Sequence, residues 1–435
     1  MNKVAFYTLG CKVNQADTAS MEKLFITAGY KIVDFEASAD AYIINTCVVT
    51  NMGQKKSRQI INRAIRQNPN AIVAVTGCYP QTAPQEVKAI DGVDLIVGTQ
   101  DRKQIVGLVA AKLAEKTGTI VDTVHDLENG MLFENMPAGD VTDKTRAFLK
   151  IQEGCNQYCT YCIIPYARGP LRSRSLSDVA TETQRLTAAG FKEIVLIGIH
   201  LGCYGKETQG AMTLYDAVKT VLANPNVQRV RLGSLESVEA DARLLELMQA
   251  DKRLCRHLHL PLQSGCDSVL KRMGRPYSTA KFADVLTAVR RAVPDICITT
   301  DMIVGFPGET EAEFLEGLGF AESCRFAKIH IFPFSARKGT PAYTFAGAIP
   351  EKLKHERCAR LAELDQESRM KIMRENIGRT AEVLFEQPTA DGKIEGLSGN
   401  YLRVFVDGEL PLGGQILPVK LTACDEIGMH GTIIK

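Results

Sequence analysis

Three short apolar runs near the start of this chain end in the same way. Lys3–Leu9 leads into Gly10-Cys11, Ala41–Asn45 into Thr46-Cys47, and Ala71–Thr76 into Gly77-Cys78. Helical periodicity runs between them from Asn14 to Ala28, stopped by Gly29, and again through the basic stretch Gln54–Arg66; Leu95–Val97 is a fourth apolar run. Strands alternating with helices at this spacing predict a parallel sheet with helices on its faces. The carboxyl ends of parallel strands share one edge, and ligands bind in the crevice there. The three cysteines therefore converge on one point. One buried cysteine is ordinarily a small packing residue, whereas three at one structural phase argue for a shared ligand. Three thiolates are one short of a closed structural zinc site, and none of the seven histidines lies in these motifs. A cluster with one open iron fits better.

A second set stands in a single loop. The run Phe148–Gln152 is followed by Glu153-Gly154-Cys155 and then by Cys159 and Cys162. The spacing C-x₃-C-x₂-C pre-sets three thiolates for a 4Fe–4S cluster and leaves the fourth iron open to a small molecule. Zinc is the competing reading. This spacing resembles the signature of radical S-adenosylmethionine (SAM) enzymes. The resemblance implies that the open iron chelates the amino and carboxylate groups of SAM. An electron from the cluster then cleaves SAM to a 5′-deoxyadenosyl radical.

Further apolar runs at Glu193–Ile199, Arg229–Leu235, His257–Leu262, Ile296–Val304 and Lys328–Phe332 alternate with helical stretches at Ser177–Ala189, Thr279–Arg291 and Glu311–Ser323. With Phe148–Gln152 these give six strand–helix units, as in a partial or full barrel of the TIM type. A long polar helix, Glu351–Asn376, follows, with Gly378 as its stop. Short β-rich runs at Ala381–Phe385, Leu402–Phe405 and Ile416–Leu421 then predict a small all-β module. The expected fold class is α/β. Residues 1–121 form a parallel-sheet domain with the first cysteine site, 122–144 a linker, 145–377 a radical SAM partial (β/α) barrel, and 378–435 a small β-barrel.

Barrel chemistry is placed on the C-terminal face, so strand-end residues are candidate SAM contacts: Gly198, His200, Ser234, Glu236, Gln263, Gly305 and Glu309. Cys203 and Cys266 also fall near strand ends. His257 and His259 lie inside a strand and read as satisfied barrel residues. Cys255, Cys297, Cys324, Cys358 and Cys424 match no ligand spacing and read as packing residues. No catalytic residue is designated beyond the cluster ligands.

The combined layout resembles the methylthiotransferase family, which has a three-Cys N-terminal domain, a radical SAM barrel and a C-terminal TRAM β-barrel. The resemblance covers essentially the whole chain. The motifs Thr8–Asn14 (TLGCKVN), Asn45–Thr50 (NTCVVT) and Lys55–Gln59 (KKSRQ) are similar to the branch that modifies N6-threonylcarbamoyladenosine at position 37 of tRNA. That branch implies two 4Fe–4S clusters, held by Cys11, Cys47 and Cys78 and by Cys155, Cys159 and Cys162. SAM serves as methyl donor and radical source. The first cluster would hold a sulfur that one SAM methylates. A second SAM would yield the radical that takes hydrogen from C2 of the adenine, to which methylthio then moves.

The formal net charge is only +2, so an RNA surface must be a local patch. Lys55, Lys56, Arg58 and Arg63, with Arg66 beyond them, are candidates on the helix after Cys47. Arg168, Arg172 and Arg174 follow the second cysteine set, and Arg403 lies in the terminal module. Such residues suit phosphate positioning, and a solvated helix face accounts equally well for the helix taken alone. The terminal module holds more acidic than basic residues, which favours the alternative substrate, an aspartate of a small-subunit ribosomal protein. Isopentenyladenosine in tRNA is another, and a non-enzymatic, metal-stabilised RNA-binding module is the remotest. A reduced flavodoxin- or ferredoxin-type electron donor is implied. The N-terminus lacks signal-peptide character and no run is long enough to span a bilayer. With thirteen cysteines, an odd number better suited to metal ligation than to disulfides, the chain reads as cytoplasmic.

Overall fold

The computed structural model describes residues 2–115, 118–139, 145–389, 392–407 and 412–434, with the side chain of Gln387 excepted. The N-terminal sheet is built from β1 (Lys3–Thr8), β2 (Lys31–Val33), β3 (Ala41–Thr46), β4 (Ile72–Gly77), β5 (Leu95–Val97) and β6 (Val121–Asp122). All pairings are parallel, in the order β2-β1-β3-β4-β5-β6. β3 and β4 are buried along their whole length, as expected for strands covered on both faces. The order reverses between β1 and β3, so the crevice at that switch point opens beside the ends of β1, β3 and β4. The short strands β2 and β6, at the two edges of the sheet, had no pattern long enough to announce them.

The central domain contains β7 (Arg146–Glu153), β8 (Arg172–Ser173), β9 (Glu193–Gly198), β10 (Arg229–Leu232), β11 (His257–His259), β12 (Cys297–Val304) and β13 (Lys328–Pro333). Two sheets, β10-β9-β7-β8 and β11-β12-β13, are joined by parallel bridges at Val230–Leu254 and Ser234–His259. Six parallel strands thus form a partial barrel, with the short antiparallel β8 beside β7. The outer helices include Leu176–Ala188, Thr279–Ala292 and Glu311–Cys324, capped by Ser175, Ser278 and Thr310. Their buried apolar faces share one large core with the strands, including Leu149, Leu196, Phe282 and Phe326.

The terminal strands β14 (Thr380–Pro388), β15 (Ile394–Ser398), β16 (Arg403–Val406), β17 (Ile416–Cys424) and β18 (Met429–Ile433) close into a barrel. This barrel docks on the amino ends of the central strands. Arg229 donates to the carbonyls of Leu397 and Glu382 at 3.0 and 2.9 Å, and Arg231 donates to that of Ser398 at 3.0 Å. Glu193, fully buried, holds both arginines in place. Arg146 pairs with Glu386 at 2.6 Å. The module therefore sits at the opposite end of the barrel from the cysteine loop.

The stretch expected to be a linker is exposed or half-buried up to Phe133 and packs only at its following residues. Glu134, Met136 and Ala138 are buried, with Glu134 bound to Arg102 and the Ala138 amide to Glu182. Residues 140–144 of it lie outside the described residues. Among the described residues, no helix is long and apolar enough to cross a membrane.

Candidate functional site: two cysteine triads and a cavity beside their loops

The first triad is set by backbone geometry. Gly77 holds φ at +96°, and a Cβ there would come within 2.4 Å of Asn45 Oδ1, so only glycine turns the chain from β4 into Cys78. Asn14 donates to the carbonyls of Leu9 at 2.7 Å and Thr46 at 2.9 Å, and Asn45 donates to the carbonyl of Asn14 at 2.9 Å. These two asparagines staple the ends of β1 and β3, and with them Cys11 and Cys47. A Cβ built on Gly10 would lie 3.1 Å from Cys47 Sγ, which shows how closely the two loops approach. Cys78 feels the charge of both Cys11 and Cys47. Cys11 is exposed, and the other two are buried.

A cation reaches this triad from the central domain. Arg168, fully buried, donates Nε–H to Cys78 Sγ at 3.3 Å. Its Nη1 serves Asp17 at 2.9 Å and Glu153 at 3.1 Å, and its Nη2 bonds Asn14. Asp17 also pairs with Arg102 and Lys150, and Arg102 reaches Glu134. Arg172 packs beside them, donating to the Arg168 carbonyl at 2.8 Å. Four buried cations thus face three buried carboxylates. Burial pushes the Cys78 thiol up to about 11 even against Arg168, so a free thiol there stays neutral and leaves the excess cation unmatched. A thiolate bound in an anionic cluster supplies the missing negative charge, and the triad fits such a group.

The second triad lies on the loop leaving β7. Gln152, fully buried, donates to the carbonyls of Glu153 and Gly154 and accepts from the His200 amide at 2.7 Å. This pins the loop to the end of β9. Cys155 Sγ lies 3.4 Å from His200 Nδ1. Burial lowers the His200 proton affinity, but bonds to Cys155, Cys203 and Glu239 outweigh it and push the imidazole up to about 12. Arg275 donates Nη1–H to Cys159 Sγ at 3.2 Å, and its Nη2 pairs with Glu236. Burial raises Cys162 to about 12, with Cys159 and Cys155 adding repulsion. Two groups of three potential ligands, His200–Cys203–Glu239 and His259–Asp301–His330, have every ligand atom within 4.8 Å of the others. Neither cysteine triad is so tight, although a single zinc would draw three sulfurs to about 4 Å apart.

A cavity of about 220 Å³ is lined by Cys162 of the second triad and by residues that closely follow Cys47 of the first. Val49 and Thr50 from the Cys47 loop form one wall, Tyr161 and Cys162 another, and Gln263 and Asp301 the barrel side. The amide of Asn51 donates to Ser335 Oγ at 3.1 Å, and Arg337 bonds Asn51 and Gln54. The start of the basic helix, Asn51–Gln67, is thereby fastened to the barrel rim beside the cavity.

Among the expected SAM contacts, His200 and Glu236 adjoin the second triad, Gly198 packs on Gln152, Ser234 is exposed, and Gln263 lines the cavity. Gly305 and Glu309 are engaged with each other and with the long helix. The Gly305 amide donates to Glu309 at 2.7 Å, Arg357 holds the same carboxylate at 2.8 Å, and a Cβ on Gly305 would strike Lys354. Both belong to the packing of the long helix Glu351–Asn376.

Arg172 and Arg174 are both buried and donate to the carbonyls of Arg168 and Met136. Arg168 is likewise interior. Lys55, Lys56, Arg58 and Arg63 are exposed on their helix. Arg58 lies 3.3 Å from the Tyr79 hydroxyl, and Arg63 pairs with Glu36. Arg403 is exposed and pairs with Glu395 at 2.8 Å, on the module at the far end of the barrel.

Sequence reasoning missed Asp17, Lys150, Gln152 and Arg275. A signal existed for two of them. In Phe148–Glu153 the polar Lys150 and Gln152 alternate with apolar residues, and in a covered strand that alternation marks groups facing a polar partner.

Comparison with known proteins agrees with this layout. Residues 3–98 match an uncharacterized protein family, UPF0004, and residues 149–321 match the radical SAM superfamily. The threonylcarbamoyladenosine tRNA methylthiotransferase MtaB of Bacillus subtilis is 42% identical over 429 residues, covering 97% of this chain and 94% of the relative. The MtaB of Thermotoga maritima is 36% identical over 99% of this chain and 96% of its own length. A tRNA-2-methylthio-N(6)-dimethylallyladenosine synthase of Clostridium botulinum is 33% identical over 98% and 95%. Among solved structures, the radical SAM methyltransferase TsrM of Kitasatospora setae superposes with a TM-score of 0.59. It covers 91% of this chain and 81% of its own at 16% identity, a likeness of fold.

Proposed function

Because this chain belongs to the methylthiotransferase family of radical SAM enzymes, we propose that it adds a methylthio group to C2 of N6-threonylcarbamoyladenosine at position 37 of tRNA. The observation that carries the proposal is a cavity walled on one side by Val49 and Thr50, just after Cys47, and on another by Tyr161 and Cys162. The two sites must act on one carbon, and a base turned out of its stack into that cavity would meet both.

The family's cofactors are SAM and two 4Fe–4S clusters. When bound, the cluster at Cys155, Cys159 and Cys162 supplies the electron that generates the radical from SAM, and the cluster at Cys11, Cys47 and Cys78 supplies the sulfur. The protein's own residues do the rest. Gln152 and Arg275 hold the second cysteine loop against the barrel. His200, Ser234, Glu236 and Gln263 stand where SAM would extend over the strand ends. Ile163, Ile303, Phe332 and Phe334 give the cavity apolar walls that exclude water from a reactive radical. Lys55, Lys56 and Arg58 lie on the helix fastened to the cavity rim and would position phosphates of the anticodon loop without reading sequence. A reduced flavodoxin- or ferredoxin-type protein is the proposed electron donor, and the cytoplasm the proposed place of action.

The ribosomal-protein reading rested on the acidic terminal module. That module is docked at the barrel end away from the cavity, and Glu386, Glu395 and Asp425 are paired within the chain. Identity to the MtaB relative of B. subtilis also exceeds that to the dimethylallyladenosine synthase of C. botulinum. The test is a turnover assay offering three substrates side by side: the small-subunit ribosomal protein, and anticodon stem-loops bearing threonylcarbamoyladenosine or isopentenyladenosine. Methylthiolation of the threonylcarbamoyladenosine stem-loop is expected. Methylthiolation of either other substrate alone would overturn the proposal.

A further inference from the structure

Each triad has one buried guanidinium donating to one cysteine sulfur. Arg168 reaches Cys78 at 3.3 Å, and Arg275 reaches Cys159 at 3.2 Å. Arg168 has no exposed surface and Arg275 is 9% exposed, so little water competes for these bonds. Each arginine is also braced: Arg168 by Asp17, Glu153 and Asn14, Arg275 by Glu236 and by the Tyr277 hydroxyl at 2.9 Å. Neither side chain has room to serve substrate phosphate.

An iron–sulfur cluster gains a negative charge on reduction. An N–H aimed at a ligand sulfur, and a fixed cation beside it, favour the more negative state and raise the reduction potential. We infer that Arg168 and Arg275 are positioning residues that set the reduction potentials of the two clusters, one each. The arrangement is asymmetric in origin. Arg275 and Cys159 both belong to the central domain, whereas Arg168 crosses from the central domain to a cysteine of the first. The electronic state of the sulfur-delivering site is therefore set by the domain that generates the radical. Glu153, two residues before Cys155, sits on the same guanidinium, so one ionic network touches the loops of both sites.

The inference rests on the proposed assignment of a cluster to each triad, and its test keeps the two separable. Iron and sulfide content of reconstituted wild-type enzyme, with release of 5′-deoxyadenosine, checks the assignment alone. The inference is read from reduction midpoints in an anaerobic titration followed by electron paramagnetic resonance. In R275M the SAM-responsive signal should move to a more negative midpoint while the other stays in place, and in R168M the reverse should hold. If R168M fails to load its cluster, R168K replaces it. Lysine keeps the buried charge but lacks the planar reach to Cys78, so a smaller negative move is expected. Unchanged midpoints in R275M and in whichever Arg168 variant retains full iron would overturn the inference, because a purely structural role predicts lost loading without a shifted potential.

Discussion

Replacing Asp17 by Asn removes one negative charge from the network between the first and central domains and leaves every atom count nearly unchanged. Asp17 is fully buried on the helix Lys12–Thr27 and accepts from Arg102, Lys150 and Arg168. Burial alone would raise its proton affinity, but the three cations overcome that and hold the carboxyl far below the usual carboxylate range. After D17N, four buried cations would face only Glu134 and Glu153. Removing one member of a buried ion network costs about 3–5 kcal/mol, because the partners stay buried without compensation. With a urea dependence of about 2 kcal/mol per molar, the unfolding midpoint of the first domain should fall by about 1.5–2.5 M. The chain has no Trp, so the assay is anaerobic urea titration followed by far-ultraviolet circular dichroism. A D17N midpoint within about 0.3 M of wild type, equivalent to less than about 1 kcal/mol, would show that the network is solvated and the reasoning wrong.

Two further outcomes are expected. Reconstituted wild-type enzyme should bind about eight iron and eight sulfide. Replacing Cys155, Cys159 and Cys162 by Ala should halve that and abolish 5′-deoxyadenosine release, while replacing Cys11, Cys47 and Cys78 should halve it, keep the release and stop methylthio transfer. Full methylthiolation by the second variant would remove the proposed role of the first domain. Reversing the charges of Lys55, Lys56 and Arg58 should weaken anticodon stem-loop binding and flatten its salt dependence by about three units of log–log slope if each contacts a phosphate. Cluster content should not change, and an unaltered slope would assign the helix to plain solvation.

Much of the architecture was legible because it is encoded locally. Leu95–Val97 and Glu351–Asn376 begin and end where the periodicity placed them, and the six central strands fall on the expected runs. The strands Ile394–Ser398 and Met429–Ile433 were not read. Each is only five residues long and carries a glycine, and closure of the terminal barrel, not local propensity, holds it. Gly305 and Glu309 looked like ligand-binding strand-end residues. Their partner is a helix some fifty residues further along the chain, which spacing does not announce.

By itself the sequence set six cysteines apart in two groups of three. Thiolates that share a cluster must stand at fixed spacing, either within one loop or at one phase of successive strands, and both patterns survive in a linear reading. The tertiary structure alone decided what surrounds them. Arg168, Arg172 and Arg174 read as surface cations, since arginine is seldom buried without a partner. The partners of Arg168 are Cys78, Asp17, Asn14 and Glu153, three of them 90 residues or more away in the chain. Only closure of the central domain on the first brings those charges together, and the desolvation that makes the pairing strong exists only once both domains have shut water out.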